Sequence, residues 1–226
     1  MAHWQYPGSM AVELTYCVVN TERRQLLSYC LDAIARERAT VEFETETLVL
    51  DNASQDGSAE AARSHAVTTE VIELDRRRGA GENTTELVRR ARGRFCLILN
   101  EDSELEPGAT AALHAALAGT DGAAAAGATL VRPDGVQQPS AYRFPSPWTG
   151  LLSLVGLGRR FVVQSHGLRI RDVDWAPVSA LLVRREAAAG IEWPDGDEVG
   201  FFRRLRKAGW RVLYVPEARA VHHERR

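Results

Sequence analysis

Leu48-Val49-Leu50-Asp51-Asn52-Ala53-Ser54-Gln55-Asp56-Gly57-Ser58 and Phe95-Cys96-Leu97-Ile98-Leu99-Asn100-Glu101-Asp102-Ser103-Glu104 share one pattern. A continuous apolar run stops abruptly at acids, amides and hydroxyls. An uninterrupted run suits a strand buried on both faces, and the polar residues behind it are turn and cap formers. Working outward, Leu14-Thr15-Tyr16-Cys17-Val18-Val19 reads as an earlier strand ending at Asn20-Thr21-Glu22, and Val71-Ile72-Glu73-Leu74 as another. Between Arg24 and Arg38, the residues Leu26, Leu27, Cys30, Leu31 and Ile34 recur at helical intervals and mark one buried face. Further helices are predicted from Ala59 and over Thr84 to Arg92, the second after a basic, glycine-containing loop from Arg76 to Gly81. Strands alternating with helices predict an α/β fold with a mostly parallel sheet flanked by helices. Ligands of such sheets bind off the carboxyl ends of the strands, where Asp51 and Asp102 fall.

Downstream, a helix of small residues is predicted after Pro107 as far as Ala118, then a strand over Ala123 to Val131. Residues 132–172 carry Pro133, Pro139, Pro145 and Pro147, scattered aromatics and the apolar Leu151-Leu152-Ser153-Leu154-Val155, the composition of an irregular, partly mobile segment. Regular structure is expected again at Val173-Asp174-Trp175 and Ser179-Ala180-Leu181-Leu182-Val183. A helix from Asp197 to Gly209 and a last strand from Arg211 to Val215, leading to His222 and His223, complete the order.

Composition excludes several classes of function. With 28 basic and 30 acidic residues the formal net charge is −2, which leaves no basic field to recruit nucleic acid. No apolar run approaches the roughly 20 residues needed to span a bilayer, and the start lacks the basic-then-apolar build of a signal peptide, so a cytoplasmic location is expected. Cys17, Cys30 and Cys96 sit among apolar residues as buried, reduced thiols. No Gly-x-Gly-x-x-Gly follows the first strand, which disfavours a dehydrogenase.

The two opening stretches, in this order and spacing and with Arg92-Gly93-Arg94 ahead of the second, closely resemble the nucleotide-side motifs of family 2 glycosyltransferases. Val173-Asp174-Trp175, Ser179 to Glu186 and Asp197-Glu198-Val199 followed by Arg204 to Val212 resemble that family's acceptor half. Arg143-Phe144-Pro145-Ser146-Pro147, ahead of an apolar segment, places the nearest likeness in the rhamnosyltransferase-like branch. The resemblance implies the GT-A fold of nucleotide-diphospho-sugar transferases, with residues 11–226 as one domain. Within it, residues 11–105 would form the nucleotide-binding half and 106–226 the acceptor-binding half, while residues 1–10 are a tail.

It further implies inverting transfer from a nucleotide-diphosphate sugar, UDP- or dTDP-linked, to a sugar, lipid-linked or small-molecule acceptor, assisted by Mg2+ or Mn2+. The metal ligands would be Asp102, Glu104 and His222, in a variant of the family's Asp-x-Asp signature whose first position is Asn100. The nucleotide sugar would meet Asn20, Thr21, Glu22, Asp51, Asn52, Arg78, Gly79, Asn83, Glu101 and Asp102. Trp175 and Ser179 would line the acceptor and sugar pocket. Asp197 and Glu198 stand where the family carries Glu-Asp ahead of its last catalytic helix, so either would be the base that takes the acceptor's proton. The apolar Trp148 to Leu157 is a candidate for peripheral contact with the inner face of a membrane. Two other readings stay open: a catalytically weak relative that binds a nucleotide or a partner, and a sugar-1-phosphate nucleotidyltransferase. The donor sugar, the acceptor and the oligomeric state are not specified at this level.

Overall fold

The computed structural model describes residues 11–144 and 169–223. The apolar stretch Trp148 to Leu157, most of the segment expected to be mobile and the tail of residues 1–10 lie outside the described residues. The described chain runs β1 (Leu14–Asn20), α1 (Arg24–Arg38), β2 (Thr45–Asp51), α2 (Ser58–Ser64), β3 (Glu70–Glu73), α3 (Ala80–Arg90), β4 (Phe95–Asn100), β5 (Ser103–Leu105), α4 (Ala109–Ala118) and β6 (Ala123–Val131). It continues through β7 (Arg171–Val173), β8 (Ala180–Arg184), α5 (Arg185–Ala188), α6 (Glu198–Lys207) and β9 (Arg211–His222).

The strands form one nine-stranded sheet in the order β3-β2-β1-β4-β8-β6-β9-β5, with β7 also paired to β9. Six strands, β1 to β4 with β6 and β9, run one way, and β5, β7 and β8 run against them. The expected mostly parallel α/β sheet is thus observed. Side-chain alternation explains how both faces are filled. Leu14, Tyr16 and Val18 of β1 and Phe95, Leu97 and Leu99 of β4 join Leu27, Leu31 and Ile34 of α1 and Leu113 and Leu117 of α4 in one core. Cys17, Cys96 and Ile98 point the other way, into a second core with Leu87 and Val88 of α3 and Phe201, Phe202 and Leu205 of α6.

Three boundaries differ from the expectation. Helix α3 begins at Ala80 rather than Thr84, because the two glycines that made this stretch read as loop permit a close approach at the helix start. A Cβ on Gly79 would strike the Asp195 carboxylate, and one on Gly81 would strike the Trp193 carbonyl. Strand β9 runs past Val215 and Pro216 to His222, tolerating the proline at a register shift against β6, where Val215 faces Ala128 but Arg219 faces Thr129. The acidic turn after β4 continues into the short strand β5, paired antiparallel to the end of β9 with Ser103 opposite His222. Asp102 and His222 are thereby drawn to the same edge.

Helix α1 is tied to α4 by Glu37, whose buried carboxylate accepts from the Gly108 amide at 2.8 Å and the Thr110 amide at 2.6 Å. Removing it would leave two N–H groups at the start of α4 without an acceptor. Glu37→Ala is expected to destabilise the fold by about 2 kcal/mol, read as a lowered midpoint at unchanged slope in urea unfolding.

Candidate active site

Parallel pairing sets Asn20 opposite Asp51 and Val19 opposite Asn100, so β1, β2 and β4 end at one level. Asn20 and Asp51 are both buried. Asp51 accepts from the Asn20 side-chain amide at 2.8 Å and from the Ser54 amide at 2.9 Å, which closes a turn over the end of β2. Asn52 accepts from the Arg78 amide at 2.8 Å and donates to the Arg78 carbonyl at 3.1 Å and to Thr21 Oγ1 at 3.3 Å, bracing the loop after β3. Glu22 accepts from the Gln55 amide at 3.1 Å and from Arg77 at 2.9 Å. Its φ of 56° and the 55° of Ala53 put two side-chain-bearing residues in the left-handed region at adjacent strand ends. Asn83 lies in the first turn of α3 at 1% exposure, with no partner for either polar atom of its side chain.

The acidic centre lies beyond β4. Arg23 reaches Glu101 at 3.6 Å and Asp102 Oδ2 at 3.3 Å. Burial raises the Glu101 pKa above the ordinary carboxylate value, and neighbouring Asp102 adds to the rise while Arg23 opposes it. Asp102 Oδ1 is buried without a hydrogen-bond donor and lies 3.5 Å from Nε2 of His222. That histidine also meets Ser179 Oγ through Nε2 at 3.3 Å and Gln138 Oε1 through Nδ1 at 3.2 Å, while Asn100 Nδ2 donates to Ser179 Oγ at 3.2 Å. Glu104 does not join this group: it contacts Nε2 of His223 at 2.6 Å. Among the described residues, no three His, Cys, Asp or Glu side chains converge as a metal cage, so Asp102, Glu104 and His222 do not assemble as a trio. Asp102 and His222 do meet.

On the acceptor side, the Trp175 ring stacks on Tyr142 at 4.1 Å with its indole Nε1 unpartnered. Asp197 is the N-cap of α6 and accepts from the Gly200 amide at 2.9 Å. Glu198, one residue on, is exposed as a residue, yet desolvation of its carboxyl group raises its pKa, against the opposing effect of the Val178 amide. The pair that sequence left equivalent is therefore divided, Asp197 capping the helix through its carboxylate and Glu198, the helix's first residue, keeping its carboxyl group out of the cap.

The family model described as "Glycosyl transferase family 2" matches residues 16–176, most of the chain. The chain belongs to glycosyl transferase family 2. This family 2 chain is 28% identical over 203 residues to the N-acetylglucosaminyl-diphospho-decaprenol L-rhamnosyltransferase of Mycobacterium tuberculosis, a match covering 78% of the chain and 66% of that relative. It thus spans about two thirds of the length of the curated relatives it matches. Among solved structures it is similar to a mannosyltransferase from Pyrobaculum calidifontis in complex with GDP-Man and Mn2+. There the TM-score is 0.65 and the identity 18%, over 96% of this chain and 60% of that one. It is also similar to mannosyl-3-phosphoglycerate synthase from Rubrobacter xylanophilus, with a TM-score of 0.64 and 16% identity over 95% of this chain and 68% of that one. The GT-A fold expected for a family 2 member is borne out. Among the described residues no helix is long and apolar enough to cross a membrane.

The site of this family 2 member holds residues that sequence reasoning did not select. Arg23 follows Glu22 just past β1, and the two acids it pairs with, Glu101 and Asp102, lie too far away in sequence to have flagged it. Gln138 carried no local signal, being 84 positions from His222. Asp195 was passed over within a short loop, yet its Oδ1 accepts from the Gly81 amide at 2.7 Å and the Glu82 amide at 3.3 Å, capping α3 from the far half of the chain. Asp195→Ala is expected to lower stability by about 1 kcal/mol, with Asp195→Asn losing only a fraction of that. Thermal unfolding of the three proteins side by side would show the ranking.

Proposed function

We propose that this chain transfers a sugar, of the rhamnosyl type, from a UDP- or dTDP-linked donor to a hydroxyl of a lipid-linked acceptor, inverting the anomeric centre in one displacement. Family membership supports the reaction class, and the printed activity of the mycobacterial relative supports the sugar and the acceptor. Work on such an acceptor would be done at a membrane surface, in keeping with the printed activity of the relative.

One observation carries the metal part of the reading. Asp102 Oδ1 is buried with no donor and faces a ring nitrogen of His222 at 3.5 Å, beyond the ends of β1 and β4. Two ligands about 2.1 Å from one ion lie about 3 Å apart at neighbouring corners of its coordination sphere, so the pair fits a divalent cation with slight closure. Asp102 and His222 would hold Mg2+ or Mn2+, which supplies positive charge to the departing diphosphate. A fold relative has a solved structure in complex with GDP-Man and Mn2+, in keeping with this fit.

The remaining roles belong to the chain's own side chains. The turn that Asp51 and Asn20 close presents Thr21, Glu22 and Asn52 to the base and ribose, and Asn83 supplies an unspent amide below them. Arg78, with Nε buried and unpartnered beside Gly79, faces phosphate oxygens, which its planar fork suits. Glu101, paired with Arg23 beside Asp102, borders the same space on the sugar side. Trp175 gives an apolar face to the acceptor. Glu198 takes the acceptor's proton, since Asp197 is engaged in the cap and a raised pKa brings the remaining carboxylate toward working pH.

Two measurements test this. In a thermal-shift series with nucleoside diphosphates, Mn2+ should add stability to the wild type, and Asp102→Ala should abolish that increment; an undiminished increment removes Asp102 from the metal role. Glu198→Gln should lose roughly 10²- to 10⁴-fold in kcat while keeping donor affinity. The base acts deprotonated, so wild-type kcat/KM should fall as pH drops through the raised Glu198 pKa, on a limb above the ordinary carboxylate range. Full activity in Glu198→Gln would return the role to Asp197.

A further inference from the structure

Hydrogen bonds around His222 have a direction that can be worked out atom by atom. The Asn100 side chain approaches Ser179 through its NH2 group, Nδ2 to Oγ at 3.2 Å, and that nitrogen can only donate. Ser179 therefore accepts there and has one proton of its own to place. His222 Nε2 lies 3.3 Å from the same oxygen. On the other side of the ring, Gln138 presents its carbonyl oxygen to Nδ1 at 3.2 Å, and that oxygen can only accept. The Gln138 end puts a proton on Nδ1, and in the neutral ring Nε2 then carries the lone pair, to which the Ser179 hydroxyl donates.

The scaffold makes this arrangement rigid. Gln138 follows a tight hairpin after β6, in which the Arg132 amide donates to the Val136 carbonyl at 2.9 Å across a turn with Gly135 at φ 81°. The Gln138 amide then donates to the Leu130 carbonyl at 2.9 Å, and the residue is 7% exposed. His222 comes from β9, held by β5 on one side and β6 on the other. Three elements distant in sequence thus converge on one imidazole. With Nε2 unprotonated, the ring offers no donor to the Oδ1 of Asp102 3.5 Å away, and that buried oxygen stays without a partner. Such an acceptor is unfavourable in a half-buried site unless a cation reaches it.

We propose that Gln138 and Ser179 are positioning residues that hold His222 in its Nδ1–H tautomer before any metal arrives, so that Nε2 carries an unprotonated lone pair, held by the Ser179 hydroxyl proton until a cation at Asp102 takes it. The purpose of the device rests on the metal reading above, while the tautomer follows from the hydrogen bonds alone. A ligating histidine whose second nitrogen donates to a fixed acceptor is a better and better-aimed ligand. Ser179, expected from sequence to line the sugar pocket, takes on this second task at the same place.

The test begins with the wild type. Histidine-labelled, chelator-treated protein is examined by 15N-resolved NMR above pH 8, with His222→Gln identifying the signal. The expected spectrum has Nδ1 in the protonated range and Nε2 in the unprotonated range. Gln138→Leu should mix the tautomers and weaken Mn2+ binding, read by calorimetry, by roughly 10- to 100-fold. Gln138→Glu, which restores an acceptor, should recover both readouts. Ser179→Ala provides a second variant should Gln138→Leu fold poorly, and the wild-type spectrum needs no variant. A proton on Nε2 in the wild type, or a Gln138→Leu protein with the wild-type spectrum and Mn2+ affinity within about twofold, overturns the proposal. Retained Mn2+ binding in Asp102→Ala would instead sink the metal reading and leave the tautomer assignment standing.

Discussion

The hydrogen bond from Asn20 to Asp51, 2.8 Å long and buried, is the constraint from which the rest of the site follows. Parallel strands side by side end with their last polar groups pointing into the same space, and groups buried there must satisfy one another or fail to fold. By spending one carboxylate oxygen on the neighbouring strand and the other on the Ser54 amide, Asp51 fixes the level at which β1 and β2 stop. The loops beyond are then built outward from that level. Asn52 holds the chain at Arg78, Glu22 holds Gln55 and Arg77, and the Glu101 amide extends the β1 ladder through the Val19 carbonyl at 3.2 Å.

The acidic centre is built on a different principle. Asp102 follows a parallel strand, but its counterpart His222 arrives on β9 because three residues after the acidic turn pair antiparallel with the end of that strand. The sheet therefore carries the metal-side acid and its imidazole at the ends of two strands, β4 and β9, that run the same way and are joined through the short antiparallel β5. Arg23 balances the negative charge in the free chain by touching both Glu101 and Asp102. A cationic side chain in that position also sets the electrostatic scale for whatever replaces or joins it.

Much of this was legible in the sequence, and the omissions have physical causes. Strands buried on both faces must be continuously apolar, so Cys17-Val18-Val19, Leu48-Val49-Leu50 and Phe95 to Leu99 announced themselves, and with them Asp51 and Asp102. Helix α3 read as beginning late because Gly79 and Gly81 suit a loop as well as a close contact, and only the capping carboxylate of Asp195, 114 positions away, decides between them. Strand β5 is three residues long and has no periodicity to detect, its partner lying at the far end of the described chain. Gln138 was invisible for the same reason. The order of Asp197 and Glu198 could not be weighed until the N-cap bond to Gly200 assigned one of them to the helix.

The cap that Asp195 places on α3 bears on how enzymes of this kind can be recombined. Exchange of residues 11–105 with those of a relative would transplant the strand ends and their turns intact, yet leave behind the one carboxylate that finishes the incoming helix. A graft that carried the 192–195 segment along would keep that junction whole, so the natural unit of exchange in this molecule is discontinuous along the chain.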